Sequence, residues 1–567
     1  MNHYAWLTYE KTFAKVLKVF AGLYTLNITQ GPNFSGVVGI MSLPREEAII
    51  ADLACLGIGM ATVALLDKES DDEFLEKITE LELKYLFTDK LGLEKVVRIA
   101  KSGVSLLIQK IIAFDELCAE DFRTLESAGI EIIQFPSLLK NRPCYLFKEP
   151  DPKSYCLYAY TNGTTGKSKL VKFTHEDLIS CLTPIVFQSF DIRSEDVYAL
   201  YTNLALFGER IMLYTLTIYG VSIGFSQSLS EDLPILQPTI LLAIPRVLEF
   251  IQRSIKRSIS LKSGLSEKIF TKCLNSSLTQ FNKTGSLPKN LFNKIAFSSI
   301  REKFGGRLRL LLTGSSPSNP ETINFIQICL GTEIYEGYGS VETGYSNLYG
   351  RNSMLRPLIG TQVKLEYLPE INIGCLEKTK YGELCIRLDS LNTINNEKQW
   401  IRTGDLFFID EKKFGFKFLE RVSFCIQVHS GWTIFPQKLE LVYRQNPFVA
   451  QIFIVGDKRI DGVIAVVVVD ENVLRVNWGN SFLLEELKGN QILIKEICLG
   501  FDKIAVENKL KQWELVLDVV IETEPWTSSE LVTGSLKLKR HKLREKYEES
   551  IEMAVNRLQS LGVIKEN

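Results

Sequence analysis

Histidine is nearly missing from this chain: His3, His175, His429 and His541 are the only four in 567 residues. A multi-histidine metal centre or a Ser-His-Asp triad has little material to draw on, so chemistry is expected from Lys, Thr, Glu and Asp. Cysteine pairing is missing too. The eleven cysteines are odd in number, run from Cys55 to Cys498, and include no C-x-x-C and no metal-ligand spacing with His. A reduced, cytoplasmic chain fits that usage. There is no excess of charge: 66 Lys+Arg against 67 Asp+Glu leave a net −1, which removes the electrostatic reason to expect nucleic acid as a partner. Residues 1–15 interleave polar and charged residues with aromatics and lack the apolar core of a signal peptide, so secretion is not expected. No apolar run is unbroken. The longest, 48–66, carries Asp52, Gly57 and Gly59 and reads as a buried helix running into a strand rather than a membrane span. Internal repeats and low-complexity linkers are absent.

What is present is ordinary globular material. Hydrophobic residues make up 46% and charged residues 23%, which excludes disordered or fibrous classes, and the length suits three or four domain-sized units, or fewer if one is large. Over the first 350 residues, short Val/Ile/Leu/Tyr runs alternate with longer amphipathic stretches, the pattern of parallel strands joined by crossover helices. Strands are expected at 37–42, 61–66, 130–135, 155–160, 221–225, 239–243 and 308–313, with helices at 71–83, 209–219 and 246–260. The fold class is therefore α/β. From 363 to 409 the pattern changes to short strands with Gly and Asn turns, which predicts a small β-rich, barrel-like subdomain. After Arg421 come a hairpin (451–455 with 462–469), a mixed helical region and a basic end at 537–546, which together read as a small α+β domain.

The most informative local feature follows the strand at 155–160. Thr161-Asn-Gly-Thr-Thr-Gly-Lys-Ser-Lys169 is dense in glycine, hydroxyls and lysine. Glycines let backbone N–H groups approach phosphate oxygens, hydroxyls add hydrogen bonds and a lysine neutralises charge. The same composition also suits an exposed turn. A Walker A loop is excluded because its first glycine would fall at position 161, which is Thr. Directly downstream, Thr174-His-Glu-Asp177 has the form of a capping box, so His175 reads as a helix-start residue rather than a metal ligand.

This loop resembles the phosphate loop of the adenylate-forming superfamily, and four further segments extend the likeness in order: Leu312-Thr-Gly-Ser-Ser-Pro317, Glu336-Gly-Tyr-Gly-Ser-Val-Glu342, Trp400-Ile-Arg-Thr-Gly-Asp405 and Thr533-Gly-Ser-Leu-Lys-Leu-Lys-Arg540. Tyr4-Ala-Trp-Leu-Thr-Tyr9, Ala51-Asp-Leu-Ala-Cys-Leu56, the 205–210 stretch and Ile244-Pro-Arg-Val-Leu248 are similar to the long-chain fatty acyl-CoA synthetase branch. The resemblance implies a large N-terminal AMP-binding domain (1–419, its β-rich subdomain at about 360–419) made of helix-flanked mixed sheets. A mobile C-terminal domain (420–567) would follow on a hinge near Glu420-Arg421, with the site in the cleft between them.

It also implies the reaction: ATP-dependent activation of a long-chain fatty acid to an acyl-adenylate, then transfer to coenzyme A. Lys537 is then the cation at the α-phosphate, although composition alone would place it in a solvated basic tail. Asn162, Gly163, Thr164, Thr165, Gly166 and Lys169 would hold the outer phosphates, and Gly314, Ser315, Ser316, Tyr338 and Gly339 the adenine side. Asp405 and Arg421 would bind the ribose, and Glu342 with Thr161 a magnesium ion. The segment 207–219 is expected to contribute to the acyl pocket. Partners are small molecules, and peripheral attachment to an intracellular membrane is compatible with a lipid-soluble acid.

The chain departs from the family pattern at several positions. Val341 replaces a Thr, Asn162 a Ser, Ser168 a Pro, Leu170 a Gly and Leu206 a His; Ser423 and Gln427 stand where lysines are usual. The stretch from Glu383 to Trp400 is too short for the usual Gly-Tyr-rich segment. These departures keep two alternatives open: a nucleotide- or acyl-binding member without turnover, and an adenylating enzyme with another thiol acceptor.

Overall fold

The computed structural model describes residues 4–28, 36–144, 149–161, 168–187, 190–260, 264–288, 291–344, 346–372, 380–388, 400–412, 414–478, 487–528, 530–533 and 537–561. Among them, two large sheets and a smaller three-stranded sheet organise the chain.

The first large sheet has seven strands in the order Glu131–Gln134, Lys110–Ala113, Tyr85–Thr88, Val37–Met41, Ala61–Ala64, Tyr155–Tyr160, Leu170–Thr174. All neighbours pair in parallel except the last two strands. Val37–Met41 sits at the centre and is buried at every position, as a parallel strand covered on both faces must be. The run at 48–66 is a helix, Glu46–Gly57, followed by the strand Ala61–Ala64, as its interrupting residues predict. The helix Asp71–Glu80 begins in a capping box: Ser70 Oγ accepts from the Glu73 N–H at 3.2 Å, and Glu73 Oε2 accepts from the Ser70 N–H at 3.3 Å.

The strand Leu170–Thr174 is not foreseen by the sequence pattern. It turns back antiparallel onto Tyr155–Tyr160, so the threonine-rich loop joins the arms of a hairpin instead of leading from a strand into a helix. The helix that follows does start where the capping box predicts, at His175, with Thr174 Oγ1 accepting from the Asp177 N–H at 3.1 Å.

The second sheet has eleven strands. Five are parallel and end toward the cleft described below: Ser222–Phe225, Val197–Leu200, Ile240–Leu242, Leu310–Gly314 and Glu333–Tyr338. The β-rich segment continues the same sheet through antiparallel pairing, joined where Leu355 lies opposite Phe416. Between the two sheets lies a fully buried ion pair. Asp52, from Glu46–Gly57, meets Arg210 on the helix Phe207–Ile218, with Thr62 donating to Asp52 Oδ1 at 2.7 Å and Arg210 Nε donating to the Tyr214 oxygen at 3.0 Å. Such a pair is expensive to break, at about 3–5 kcal/mol, because one charge is left buried alone. It gives Arg210, the last residue of the 205–210 stretch, a structural role.

The third sheet pairs Val449–Gly456 antiparallel with Val463–Val469, the expected hairpin, and adds Val516–Glu522 in parallel. Val463–Val469 alternates between two cores. Val463, Ala465, Val467 and Val469 pack with the Gln491–Glu507 side; Ile464, Val466 and Val468 pack with Leu543, Tyr547 and Ile551. No helix among the described residues is long and apolar enough to cross a membrane.

Candidate active site

A cleft of about 1210 Å³ is bordered by the ends of the parallel strands, the hairpin neck and the C-terminal segment. Thr161, Lys169, Gly314, Ser315, Ser316, Tyr338, Gly339, Glu342, Asp405, Arg421 and Lys537 all line it. These are the expected site residues, drawn together from positions 376 residues apart at the extremes. Asn162, Gly163, Thr164, Thr165 and Gly166 lie outside the described residues.

The floor is built by strand register. Asp405, on Ile401–Asp410, lies directly opposite Arg421, at the end of Gly415–Arg421, and Arg421 Nε sits 3.2 Å from Asp405 Oδ1. The Tyr338 hydroxyl, from the end of Glu333–Tyr338, donates to Asp405 Oδ2 at 2.7 Å, and its ring meets Phe407 edge-on at 4.8 Å. A carboxylate has about four acceptor sites, so one with these two partners can in principle also accept from a vicinal diol. Burial raises the Asp405 carboxyl above its ordinary range although Arg421 and Tyr338 oppose this. Burial and the neighbouring Asp405 push the Tyr338 phenol well up.

The adjoining wall is tight. A side chain at Gly314 would start 2.7 Å from the Gly337 carbonyl oxygen, so only glycine lets these strand ends close up. Ser315 follows at φ +72°, a left-handed conformation uncommon for a residue with a Cβ and often found at functional sites. At the hairpin neck the Thr161 N–H donates to the Lys169 carbonyl and the Lys169 N–H to Thr161 Oγ1, both at 2.9 Å. Lys169 itself is exposed.

Lys537 reaches this floor from the C-terminal segment. Its N–H donates to Thr533 Oγ1 at 3.1 Å, its carbonyl accepts from the Thr533 N–H at 2.8 Å, and Leu538 bridges antiparallel to Val532. Leu538 packs partly against the core of the small sheet and borders the cleft together with Lys537, while the Lys539 ammonium reaches Glu73. Burial pushes the Lys537 ammonium down to about 8, Arg421 adds to the fall and Asp405 opposes it. Nearby, burial lifts the Glu420 carboxyl to about 7 against the pull of Arg540; Glu420 accepts the N–H groups of Arg421 at 2.9 Å and Gln437 at 2.7 Å.

The far end of the cleft holds groups that sequence reasoning missed. Arg444 makes a bidentate pair with Glu249, at 2.9 and 2.8 Å, and Arg246 stands beside them, pushed down to about 10 by burial and then by Arg444. Arg246 lies in a quoted segment, Ile244-Pro-Arg-Val-Leu248, whereas nothing local marks Arg444. Of the 207–219 stretch, only Phe207 and Gly208 border the cleft, together with Leu206 and Val341 as apolar neighbours. Residues 209–216 of that helix are core, with Arg210 and Tyr214 committed to Asp52. Among the described residues no three His, Cys, Asp or Glu gather into a metal cage. Glu342 on the cleft wall offers one hard oxygen donor, the kind of set magnesium uses when phosphates supply further ligands.

Comparison with known proteins agrees with this geometry. The solved structures that share the fold include the adenylation domain of a carboxylate reductase from Mycobacterium chelonae (TM-score 0.77, 22% identity, 97% of this chain and 84% of that one). Another is the A domain of a carboxylic acid reductase from Segniliparus rugosus in complex with AMP and a co-purified carboxylic acid (TM-score 0.76, 19% identity, 98% and 88%). Among curated relatives, long chain acyl-CoA synthetase 6, peroxisomal, of Arabidopsis thaliana is 29% identical over 97% of this chain and 82% of its own length. Fatty acyl-CoA synthetase A of Dictyostelium discoideum is 26% identical over 97% and 86%. The family model described as AMP-binding enzyme matches residues 1–392, and the chain belongs to that family.

Proposed function

We propose that the protein is a long-chain fatty acid–CoA ligase working in two steps at this cleft. The acid's carboxylate attacks the α-phosphate of ATP, pyrophosphate leaves, and the thiol of coenzyme A then displaces AMP from the acyl-adenylate. The observation that carries the reading is the placement of half-buried Lys537 in the cleft beside Asp405 and Arg421. In the first step negative charge gathers around the α-phosphate, and an ammonium preplaced in a dry site stabilises it. Asp405 and Arg421 bind the ribose, Tyr338 with Gly314, Ser315, Ser316 and Gly339 borders the adenine, and Lys169 with the threonine-rich loop holds the outer phosphates. Magnesium, held by Glu342 and Thr161, would supply further charge neutralisation at those phosphates.

The acyl chain takes the apolar side of the cleft, where Leu206, Phe207 and Val341 lie; leucine in place of the family's histidine suits a hydrocarbon. In this reading 1–419 and 420–567 act as two domains, and rotation about Glu420-Arg421 remakes the cleft for the thiol step. The supporting comparison is that the relatives from Arabidopsis and Dictyostelium are named acyl-CoA synthetases. The test is ATP–pyrophosphate exchange with purified protein, magnesium and saturated acids of graded length. Exchange should need the acid and be strongest with long chains. A second reading, a nucleotide-binding member without turnover, draws on Val341, whose side chain packs in an apolar cluster where a hydroxyl is usual. Saturable ATP binding without acid-dependent exchange would favour it.

A further inference from the structure

The segment that delivers Lys537 is tied to the large sheet region at a second point. Two residues on, Lys539 Nζ donates to Glu73 Oε1 at 2.8 Å, across 466 residues of chain, with Lys539 largely buried. Glu73 has two jobs. Its other oxygen, Oε2, closes the capping box at the start of the helix Asp71–Glu80. Burial would raise its carboxyl, yet the bond and charge of Lys539 reverse this and hold it below the ordinary range.

The same helix also holds the hairpin. Glu73, Lys77 and Glu80 follow an i, i+4, i+7 spacing and share one face. Glu80 Oε2 accepts from the Tyr160 hydroxyl at 2.8 Å, and the Lys77 ammonium lies 4.7 Å from the centre of the Tyr160 ring. Tyr160 immediately precedes Thr161. Seven residues of helix, about 10 Å, therefore separate the anchor of the hairpin neck from the anchor of the lysine segment. Lys537 and Lys539 are two residues apart on a segment bridged to Val532 at Leu538, so fixing Lys539 restricts where the backbone can place Lys537.

We propose that Glu73 and Lys539 are a positioning pair for the adenylation half-reaction, holding Lys537 in register with the threonine-rich hairpin through the helix Asp71–Glu80. The proposal rests on the two-step reading above. The pair touches no reacting atom. It exists only while the C-terminal segment is docked as seen here, so it serves the first step and is broken when the cleft is remade for the thiol.

The test uses the full chain as wild type, Glu73→Gln, Lys539→Gln and the double variant. Gln at position 73 keeps a capping-box side chain while removing the charge, and Lys539→Gln leaves the helix cap untouched. Thermal unfolding checks that both fold. Two rates are read: acid-dependent ATP–pyrophosphate exchange, and thioester formation from coenzyme A and synthetic palmitoyl-adenylate. Each single change should lower the exchange kcat about three- to fivefold with the KM for ATP unmoved, and the double variant should be no slower than either single one. Thioester formation should stay at the wild-type rate. Unchanged exchange, multiplying effects in the double variant, or an equal fall in both half-reactions would overturn the pairing. Absence of acid-dependent exchange in the wild type would instead overturn the adenylation reading on which it stands.

Discussion

Lys169 and Lys537 both border the cleft, yet the regions that carry them treat the charge in opposite ways. The hairpin neck leaves Lys169 exposed and ties its backbone to Thr161. The C-terminal segment leaves Lys537 half-buried, and desolvation, then the neighbouring Arg421, push its ammonium down to about 8. An exposed ammonium is well hydrated and screened, and contributes modestly to holding a polyphosphate. A partly desolvated one has less water to give up and meets new negative charge at lower dielectric, where each interaction is stronger. The two lysines are therefore suited to different tasks: Lys169 to gathering substrate, Lys537 to the reacting phosphorus.

That contrast can be broken most easily by alanine substitution. Lys537→Ala should slow pyrophosphate release by about a hundredfold or more, whereas Lys169→Ala should cost about tenfold and act mainly on the KM for ATP. Equal losses in rapid-quench assays would erase the distinction. Asp405→Asn comes next. It removes the charge that faces Arg421 and Lys537 and weakens the ribose contact. A charged hydrogen bond is worth about 1.5–3 kcal/mol, so kcat/KM for ATP should fall about ten- to hundredfold. Retention of wild-type values would mean that the floor does not touch the nucleotide. The smallest effect is expected at Val341→Thr, which returns a hydroxyl at the edge of an apolar cluster. Exchange should rise by up to about tenfold. A fall would show that packing, and not the missing donor, governs that position.

The parts that sequence patterning reads well are those whose physics is local. Val37–Met41 is apolar throughout because both faces are covered, and the hairpin over 449–469 alternates because it separates two cores. Leu170–Thr174 escapes notice because a five-residue run pressed against a capping box has no room to show its own period. The described site residues are legible as motifs, and they do converge on one cleft. Contacts between distant segments are not legible. Glu249 with Arg444 and Glu73 with Lys539 are ordinary opposite charges 195 and 466 residues apart, in a chain with 66 cations and 67 anions to choose from. Nothing in either neighbourhood marks the partner. The setting of Lys537 is hidden for a related reason: a basic run looks solvated until the surface it meets is known.

The central claim is that the C-terminal segment delivers a half-buried, readily deprotonated ammonium to the nucleotide floor. Its most direct test is the pH dependence of kcat/KM for ATP in acid-dependent pyrophosphate release, which reports the free enzyme. Because the Lys537 pKa lies near 8 instead of its ordinary 10.5, the charged form is lost as pH rises through 8, and activity should fall with it. In Lys537→Arg, whose guanidinium stays charged, whatever activity remains should lack that alkaline limb. A wild-type profile flat to pH 10, or a limb near 8 that persists in Lys537→Arg, would contradict the account.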